Sequence, residues 1–450
     1  MPDSNPIPLY LLSPQQVREQ SGATATWIEV SKFTGETGTH CLVPNADGGL
    51  AKVLVGTSDS IDTWTLGNLP QVLPPGRYVL GDTFSDTDAT KLSLGWQLGQ
   101  YKFTTYKQNS KNNGAEFIFP DNGDRAYVEA ATEATFLVRN LINTPANDMG
   151  PDRLEASART LAETYNANIE VIVGETLLER QYPMVYNVGK ANARPPRLLD
   201  LRWGDENAPK VTLVGKGVCF DTGGLDLKSA SGMKLMKKDM GGAAQMLGLA
   251  TLIMKMQLPV RLRVLVPAVE NSVADNAMRP SDVLPTRKGI TVEVGNTDAE
   301  GRLILSDALW EASSEDPQLI VDCATLTGAA RVALGSELPA LFCNRVETAT
   351  AAEQAGQATD DPVWHMPLHE PYRAMLESKI ADICNISSGS YGGAITAALF
   401  LREFVKPEIP WIHVDFMGWN LRALPGRPEG GEAIGMRALF ETIRTQVVRS

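Results

Sequence analysis

The strongest constraint on the fold is an alternation of apolar strands and helices that begins near residue 211. Runs of strand length, rich in apolar and β-branched residues, lie at residues 211–215, 261–266, 319–323 and 411–415. Helical patterns fall between them at residues 240–256 and 303–312. Such alternation is typical of parallel strands joined by crossover helices, so we predict an α/β/α sandwich. In these sheets functional side chains collect at the carboxyl ends of the strands.

The chain length predicts a second domain, because 450 residues exceed one ordinary core. Residues 27–30, 52–56 and 76–80 read as strands, and a helical pattern over residues 127–141 stops before Pro145. The predicted parts are a smaller N-terminal α/β domain at residues 1–125, a connector helix at residues 126–148 and a larger domain at residues 149–450.

Charge and composition narrow the class of function. The formal net charge of −12 argues against broad nucleic-acid binding, which needs a basic face. Five scattered cysteines are typical of reduced thiols rather than of a disulfide framework. The first residues lack the basic region of a signal peptide, and the most apolar later window, residues 243–258, contains Lys255 and is too short to span a bilayer. We therefore expect a cytoplasmic protein with no membrane partner.

Two segments concentrate charged residues beside glycines. One lies within residues 214–240, and the other is Asn-Thr-Asp-Ala-Glu-Gly-Arg-Leu at residues 296–303. Their charged side chains of interest are Lys216, Asp221, Lys228, Asp239, Asp298, Glu300 and Arg302.

The four acids among them indicate a metal site. Converging carboxylates raise one another's pKa unless cations lie between them, and hard or borderline divalent ions suit carboxylate ligands. In an extended loop Asp298 and Glu300 would point to one side and could hold two metals about 3.5–4 Å apart. Any one of the acids alone would more often be a surface or capping residue, and Asp221 could simply form a turn.

These segments resemble the leucyl (cytosol) aminopeptidase family of two-metal metallopeptidases. The family's hallmark octapeptide stands unaltered at residues 296–303, and the pattern Val-Gly-Lys-Gly, Phe-Asp-Thr-Gly-Gly, Lys and Met-Lys-x-Asp-Met matches within residues 214–240. Shorter matches follow at residues 322–329, 381–385 and 392–397. The similarity runs from about Arg139 to the end of the chain. It implies a catalytic α/β/α domain preceded by a macro-like α/β domain.

The resemblance assigns ligands for two divalent ions, Mn²⁺ or Zn²⁺. One ion would be bound by Lys216, Asp221, Asp239 and Glu300, and the other by Asp221, Asp298 and Glu300 together with the Asp298 carbonyl. Lys216 could ligate only as a neutral amine, although the reference pKa of lysine is about 10.4. The alternative for Lys216 is an ammonium ion paired with these carboxylates.

The resemblance also implies catalytic roles outside the ligand set. Lys228 would stabilise the oxyanion, and a bicarbonate held by Arg302 at a helix start would shuttle the proton. The alternative for Arg302 is an ion pair with Asp298 or Glu300.

Substrate preference is less constrained than chemistry. Met236, Thr325, Met417 and Asn420 align with positions that line the family's pocket for the N-terminal side chain. The family often has a small residue at the position of Met417 and a Met at that of Asn420, so we expect a broad preference. The methionines could equally fill the core. The resemblance further implies peptide substrates with a free N-terminus and a homohexamer.

Two other functions stay open. Ser231 and Lys234 match the Ser-x-x-Lys pattern of some serine hydrolases, which is a weak signal alone. Some relatives bind DNA as hexameric scaffolds, although the negative net charge disfavours that role here. The chain contains no His-Glu-x-x-His sequence, which excludes the helix-borne zinc protease design.

Overall fold

The computed structural model describes residues 5–58, 60–107 and 114–448. Contacts divide the chain into two compact units. The first contains the residues up to Thr132 and Arg422–Glu429, and the second contains Glu133–Leu421 and the residues from Gly430 onward. Both units mix helices with strands, which confirms the predicted α/β class.

The first unit is organised around one five-stranded sheet. Its strands are β1 (Ile7–Leu12), β2 (His40–Pro44), β3 (Leu50–Gly56), β4 (Gly76–Leu80) and β5 (Ala115–Phe117). Its helices are α1 (Pro14–Arg18), α2 (Gly22–Ser31), α3 (Leu69–Val72) and α4 (Asp86–Gly99). The strand order is β2-β3-β1-β4-β5, in which β2 pairs antiparallel with β3 and the other neighbours are parallel.

The predicted strand at residues 27–30 is wrong, because these residues lie inside α2. Ser21 precedes this helix in an extended conformation, and Lys32 ends it in the left-handed region with φ of 53°. Ile28 is the buried residue of α2. The apolar residues around it therefore do not form the half-buried pleated surface that a strand needs.

A segment from far along the chain belongs to this first unit. Within residues 422–429, Leu424 and Arg427 form an isolated antiparallel bridge, and the Arg427 guanidinium lies 4.3 Å from the centroid of the Trp64 ring. A Cβ atom on Gly67 would lie 2.6 Å from the Gly426 nitrogen. Glycine at position 67 therefore permits the close approach of the two backbones.

The chain passes into the second unit within α5 (Arg125–Asn143). The further strands are β6 (Asn168–Val173), β7 (Arg197–Trp203), β8 (Lys210–Gly215), β9 (Gly217–Asp221), β10 (Arg261–Asn271), β11 (Val283–Pro285), β12 (Thr291–Glu293), β13 (Leu319–Ala324), β14 (Ala340–Cys343), β15 (Trp364–His365), β16 (Ile383–Cys384), β17 (Trp411–Asp415), β18 (Trp419–Asn420) and β19 (Gly430–Gly431). The further helices are α6 (Pro151–Tyr165), α7 (Thr176–Glu179), α8 (Pro183–Gly189), α9 (Ala230–Met233), α10 (Gly241–Lys255), α11 (Glu300–Ser313), α12 (Gly328–Leu334), α13 (Val346–Ala358), α14 (Gly393–Arg402) and α15 (Met436–Ile443). Turns of 3₁₀-helix lie at Met236–Met240 and Glu370–Leu376, and a π-helical turn lies at Arg444–Val448.

The main sheet of the second unit is mixed rather than wholly parallel. Its strand order is β15-β14-β17-β13-β8-β10-β7-β6, and β9 also pairs with β10. The central strands β17, β13, β8 and β10 are parallel, whereas β14 and β7 join them antiparallel. The alternation of strands and helices in the sequence thus predicts the centre of the sheet and not its flanks.

Helices cover this sheet in two groups. Helix α11 packs with α8 and α14 against β8 and β10, and α10 packs with α6 and α15 against β8 and β13. Val214 of β8 and Leu265 of β10 share a buried cluster with Leu303 of α11. This layering confirms the predicted α/β/α sandwich.

The five cysteines are free thiols, as predicted. None of the helices in the described part of the chain combines the length with the apolar character that crossing a membrane would require.

Candidate metal centre

The charged residues selected from the sequence meet at element ends of the second unit. Lys216 follows β8 and Asp221 ends β9, while Asp239 lies in the 3₁₀ turn Met236–Met240. Glu300 is the first residue of α11. The expected extended loop through Asp298 and Glu300 is wrong, because the chain bends at Ala299 (φ −105°, ψ 40°) to enter the helix.

Lys216 lies between two buried carboxylates. Its Nζ is 2.8 Å from Asp239 Oδ2 and 2.9 Å from Glu300 Oε1. Burial alone would lower the pKa of Lys216, but the charges of Asp239, Glu300 and Asp221 outweigh it and raise the pKa. In this structure Lys216 is thus paired with the acids, as the ion-pair alternative expects.

Lys228 joins the other two acids. Its Nζ is 2.8 Å from Asp221 Oδ2 and also contacts Asp298 Oδ1. The Lys228 side chain is 14% exposed and Asp298 is 34% exposed, so this pair lies on the more open side of the cluster.

Three of the carboxylates stand close enough to share an ion. Ligand oxygens of Asp221, Asp298 and Glu300 lie within 4.8 Å of one another. Burial and the charge of Asp221 raise the pKa of Glu300 to about 8, and burial and the charge of Asp239 raise the pKa of Asp221 to about 6. The two lysines thus do not fully compensate the acidic charge.

The donor set fits divalent cations. Glu300 Oε2 is buried and accepts no hydrogen bond from any described residue, which is costly for a carboxylate oxygen unless a cation contacts it. Clustered carboxylate oxygens are the ligands that hard divalent ions prefer. Asp221, Asp298 and Glu300 could therefore hold such an ion, and Asp239 lines the same cavity.

Neighbouring amides and hydroxyls fix the orientation of the acids. The Asn271 amide donates to Asp221 Oδ1 at 2.8 Å and to the Thr297 carbonyl at 3.1 Å. The Thr325 hydroxyl donates to Asp239 Oδ1 at 2.8 Å. The Asn385 amide donates to the carbonyls of Asn296 and Ala299 at 2.8 and 3.2 Å, which holds the loop before α11.

Asn271 was not predicted, because the strand pattern in the sequence ends at Val266 whereas β10 continues to Asn271. Asn385 lies in one of the matching segments, but its sequence context indicated no role.

Gly301 leaves room for the lysine of the cluster. A Cβ atom at this position would lie 2.5 Å from Lys216 Cε and 2.6 Å from its Nζ. Any larger residue would displace Lys216 from Asp239 and Glu300. The glycine of the octapeptide is therefore explained by a close approach of side chain to helix.

Arg302 projects from the first turn of α11 and makes no ion pair with Asp298 or Glu300 among the described residues. Its Nη1 donates to the Asn385 carbonyl at 2.7 Å, while its buried Nε has no acceptor in the described structure. Burial lowers the pKa of Arg302 to about 10. The unused donor and the helix start favour an anion at this position.

All seven charged residues line one cavity with a volume of about 310 Å³. Met236 and Thr325, predicted for the substrate pocket, line it too, and so do the unpredicted cations Lys238 and Arg331. Burial lowers the pKa of Lys238 to about 8; Asp239 opposes this shift and repulsion from Arg331 adds to it.

Met417 and Asn420 are not among the residues that line this cavity in the described structure. The Asn420 amide is buried and donates to Glu432 Oε2 at 2.9 Å. The pocket roles of Met417 and Asn420 stay predictions.

The alternative Ser-Lys pair is not assembled. Ser231 is exposed, its Oγ lies 3.2 Å from Ser229 Oγ, and it forms no hydrogen bond with Lys234 in the described structure.

Comparisons with known proteins agree with this geometry. The sequence model of the cytosol aminopeptidase family, catalytic domain, matches residues 136–440, and that of the M17 aminopeptidase N-terminal domain matches residues 7–120. A probable cytosol aminopeptidase from Nocardia farcinica is 37% identical over 436 residues, which cover 92% of this chain and 86% of the relative.

Solved structures are similar over almost the whole length. The crystal structure of a cytosol aminopeptidase from Coxiella burnetii superposes with a TM-score of 0.95 at 48% identity and covers 99% of this chain and 98% of its own. The bottromycin maturation enzyme BotP in complex with Mn has a TM-score of 0.87 at 33% identity, covering 95% and 96%. With both domains matched and the carboxylate cluster in place, this chain belongs to the cytosol aminopeptidase family of metalloexopeptidases.

Proposed function

We propose that this aminopeptidase removes N-terminal residues from peptides at the cavity lined by the carboxylate cluster. The observation that carries the proposal is the convergence of Asp221, Asp239, Asp298 and Glu300 on one cavity, with Glu300 Oε2 lacking any described hydrogen-bond donor. We assign two divalent ions, Mn²⁺ or Zn²⁺, to these acids and Lys216. The manganese complex of BotP supports this assignment.

When bound, the two cations would supply a nucleophilic water at neutral pH and a ligand position for the free α-amino group of the substrate. Lys216 would have to release its proton to join the ligands, and it would then leave the ion pairs with Asp239 and Glu300. Asn271 and Thr325 keep Asp221 and Asp239 in fixed orientations during this exchange.

Lys228 is the residue proposed to stabilise the oxyanion. Its ammonium lines the cavity beside Asp221 and Asp298, and it is partly exposed, so a substrate carbonyl can approach it. A fixed positive charge at this point stabilises the negative charge that develops on that oxygen.

Arg302 is proposed to hold a bicarbonate that supplies proton transfer when bound. Its buried Nε without an acceptor and its place at the start of α11 support this role. Measuring activity with and without added bicarbonate tests this role. We expect bicarbonate to raise the activity of the wild type and not that of Arg302→Met.

A panel of aminoacyl chromogenic substrates with Mn²⁺, Zn²⁺, Mg²⁺ or Co²⁺ tests the proposed function. We expect hydrolysis that is lost on chelation and returns with metal, and that is unaffected by Ser231→Ala. Inactivity on every substrate, or full activity after exhaustive metal removal, would refute it.

We also propose a homohexamer and a cytoplasmic location, which rest on family resemblance. Light scattering tests the assembly, and a fully active monomer would contradict it.

A further inference from the structure

Two cations line the active-site cavity without a partner of their own. Lys238 lies in the 3₁₀ turn Met236–Met240 and is 1% exposed, and Arg331 lies in α12. Both line the cavity that also contains Met236 and Thr325. Throughout the described residues, neither side chain forms a hydrogen bond or an ion pair.

Asp239 and Asp415, the two acids whose charges act on Lys238, already bind other donors. The Asp239 carboxylate binds Lys216 at 2.8 Å and the Thr325 hydroxyl at 2.8 Å. Asp415 accepts from the Leu326 and Thr327 amides at 3.0 and 3.1 Å and from the Thr327 hydroxyl at 2.6 Å. A buried ammonium without a carboxylate is costly, so an anionic ligand in the cavity would stabilise Lys238.

The net charge of the cavity also favours an anionic ligand. Two dications would balance the four carboxylates of the cluster, since two charges of +2 offset four of −1. Lys228 and Arg302 also line the cavity, but the oxyanion and the bicarbonate are their proposed partners. The positive charge of Lys238 and Arg331 has no such partner. An anionic group on the substrate would compensate it through charge-assisted hydrogen bonds, and the planar guanidinium suits a carboxylate.

We propose that Lys238 and Arg331 bind a carboxylate of the peptide substrate, foremost the side chain of an N-terminal Asp or Glu. This inference rests on the proposed function. The same chemistry could come from the terminal carboxylate of a dipeptide, so the test includes both sources. The enzyme would thus select acidic substrates in place of a purely apolar N-terminal residue.

Two substrate pairs measure the preference in metal-loaded enzyme. The first compares kcat/KM for Glu-Leu-amide and Gln-Leu-amide, which differ in one charge. The second compares Leu-Leu with a free C-terminus and Leu-Leu-amide. We expect the Glu/Gln ratio to be about tenfold or more in the wild type, as one charge-assisted contact would give. Lys238→Met and Arg331→Gln should each bring it toward one, mainly through KM.

Controls separate charge from fold. Lys238→Arg should keep the ratio, and Lys379→Met removes an exposed lysine outside the cavity and should leave both activity and ratio unchanged. Melting temperatures report whether each variant folds. The two wild-type ratios test the preference even if a variant does not fold.

The outcomes are distinct. In one outcome the Glu/Gln ratio is one, and Leu-Leu is cleaved better than Leu-Leu-amide by the wild type but not by the variants. Lys238 and Arg331 would then bind the terminal carboxylate of a dipeptide. Both wild-type ratios near one, or ratios unchanged in Lys238→Met and Arg331→Gln, would overturn the inference while cleavage of Leu-Leu-amide upheld the proposed function. No cleavage of any peptide would overturn both.

Discussion

Replacing Asn271 by leucine should weaken metal binding without removing a ligand. The Asn271 amide donates to Asp221 Oδ1 at 2.8 Å and to the Thr297 carbonyl at 3.1 Å, so it ties the proposed bridging acid to the loop that carries Asp298. In Asn271→Leu, Asp221 Oδ1 keeps its bond from the Gly223 amide, 2.9 Å away, and loses the other.

The size of the effect follows from the bond that is lost. A hydrogen bond to a charged group contributes about 1.5–3 kcal/mol, and each factor of ten in affinity corresponds to about 1.4 kcal/mol. We therefore expect metal affinity to fall by about 10- to 100-fold, as is usual when a residue that orients a ligand is removed.

Competition with a fluorescent chelator, titrated with Mn²⁺, measures this change directly. Asn276→Leu is a matched control, because Asn276 is exposed and donates to the Lys190 carbonyl at 3.0 Å, away from the acids. An unchanged Mn²⁺ dissociation constant in Asn271→Leu, together with a lowered melting temperature of the metal-free protein, would refute the reasoning and leave Asn271 a purely structural role.

Three further predictions follow from charges inside the second unit. Lys228→Met should lower kcat by about 10²–10³-fold with a smaller change in KM, because it removes the charge facing the oxyanion; steady-state kinetics in which KM alone rose would contradict this. Glu432→Gln should lower the free energy of unfolding by about 3–5 kcal/mol, because Arg139 Nη2, 2.9 Å from Glu432 Oε2, would stay buried without its carboxylate. Urea denaturation measures it, and Arg139→Met combined with Glu432→Leu should regain part of the loss. His413 should stabilise the fold most at low pH: burial acts to lower its pKa, but Asp322 Oδ1 at 2.6 Å from its Nδ1 outweighs burial and raises the pKa. The stabilisation is then complete below the unfolded pKa of about 6.5 and is lost as pH rises through the folded value. The melting temperatures of wild type and His413→Phe measure it, and a difference that grew with pH would be inconsistent with the His413–Asp322 pair.

Sequence patterns predicted the elements that are buried on every side. Strands β13 and β17 are buried at all positions, and continuous apolar runs of that length leave little alternative. The pattern failed for β10, whose predicted end is Val266. Pro267 normally marks the end of a central strand, but here it lies at the junction where β10 changes its parallel partner from β8 to β9. The strand therefore continues, and Asn271 reaches Asp221.

The site was predictable where charge interrupts apolar surroundings. Asp221 and Glu300 stand at the end of a buried strand and the start of a buried helix, and such positions rarely hold an acid without a function. Lys238 gave no such signal, because adjacent lysines usually indicate a solvated face. Only the fold shows that Lys237 and Lys238 diverge, with Lys237 Nζ donating to the Asn143 carbonyl at 2.6 Å and Lys238 lining the cavity.

The assignment of residues 422–429 to the first unit has a consequence for the order of synthesis. The segment that meets Trp64 and Gly67 leaves the ribosome only after nearly all of the second unit has emerged. The first unit lacks this segment until most of the second unit has been translated, so we expect its folding to be completed only after that point. A premature stop before residue 422 would remove part of the N-terminal unit as well as the C-terminal helix α15.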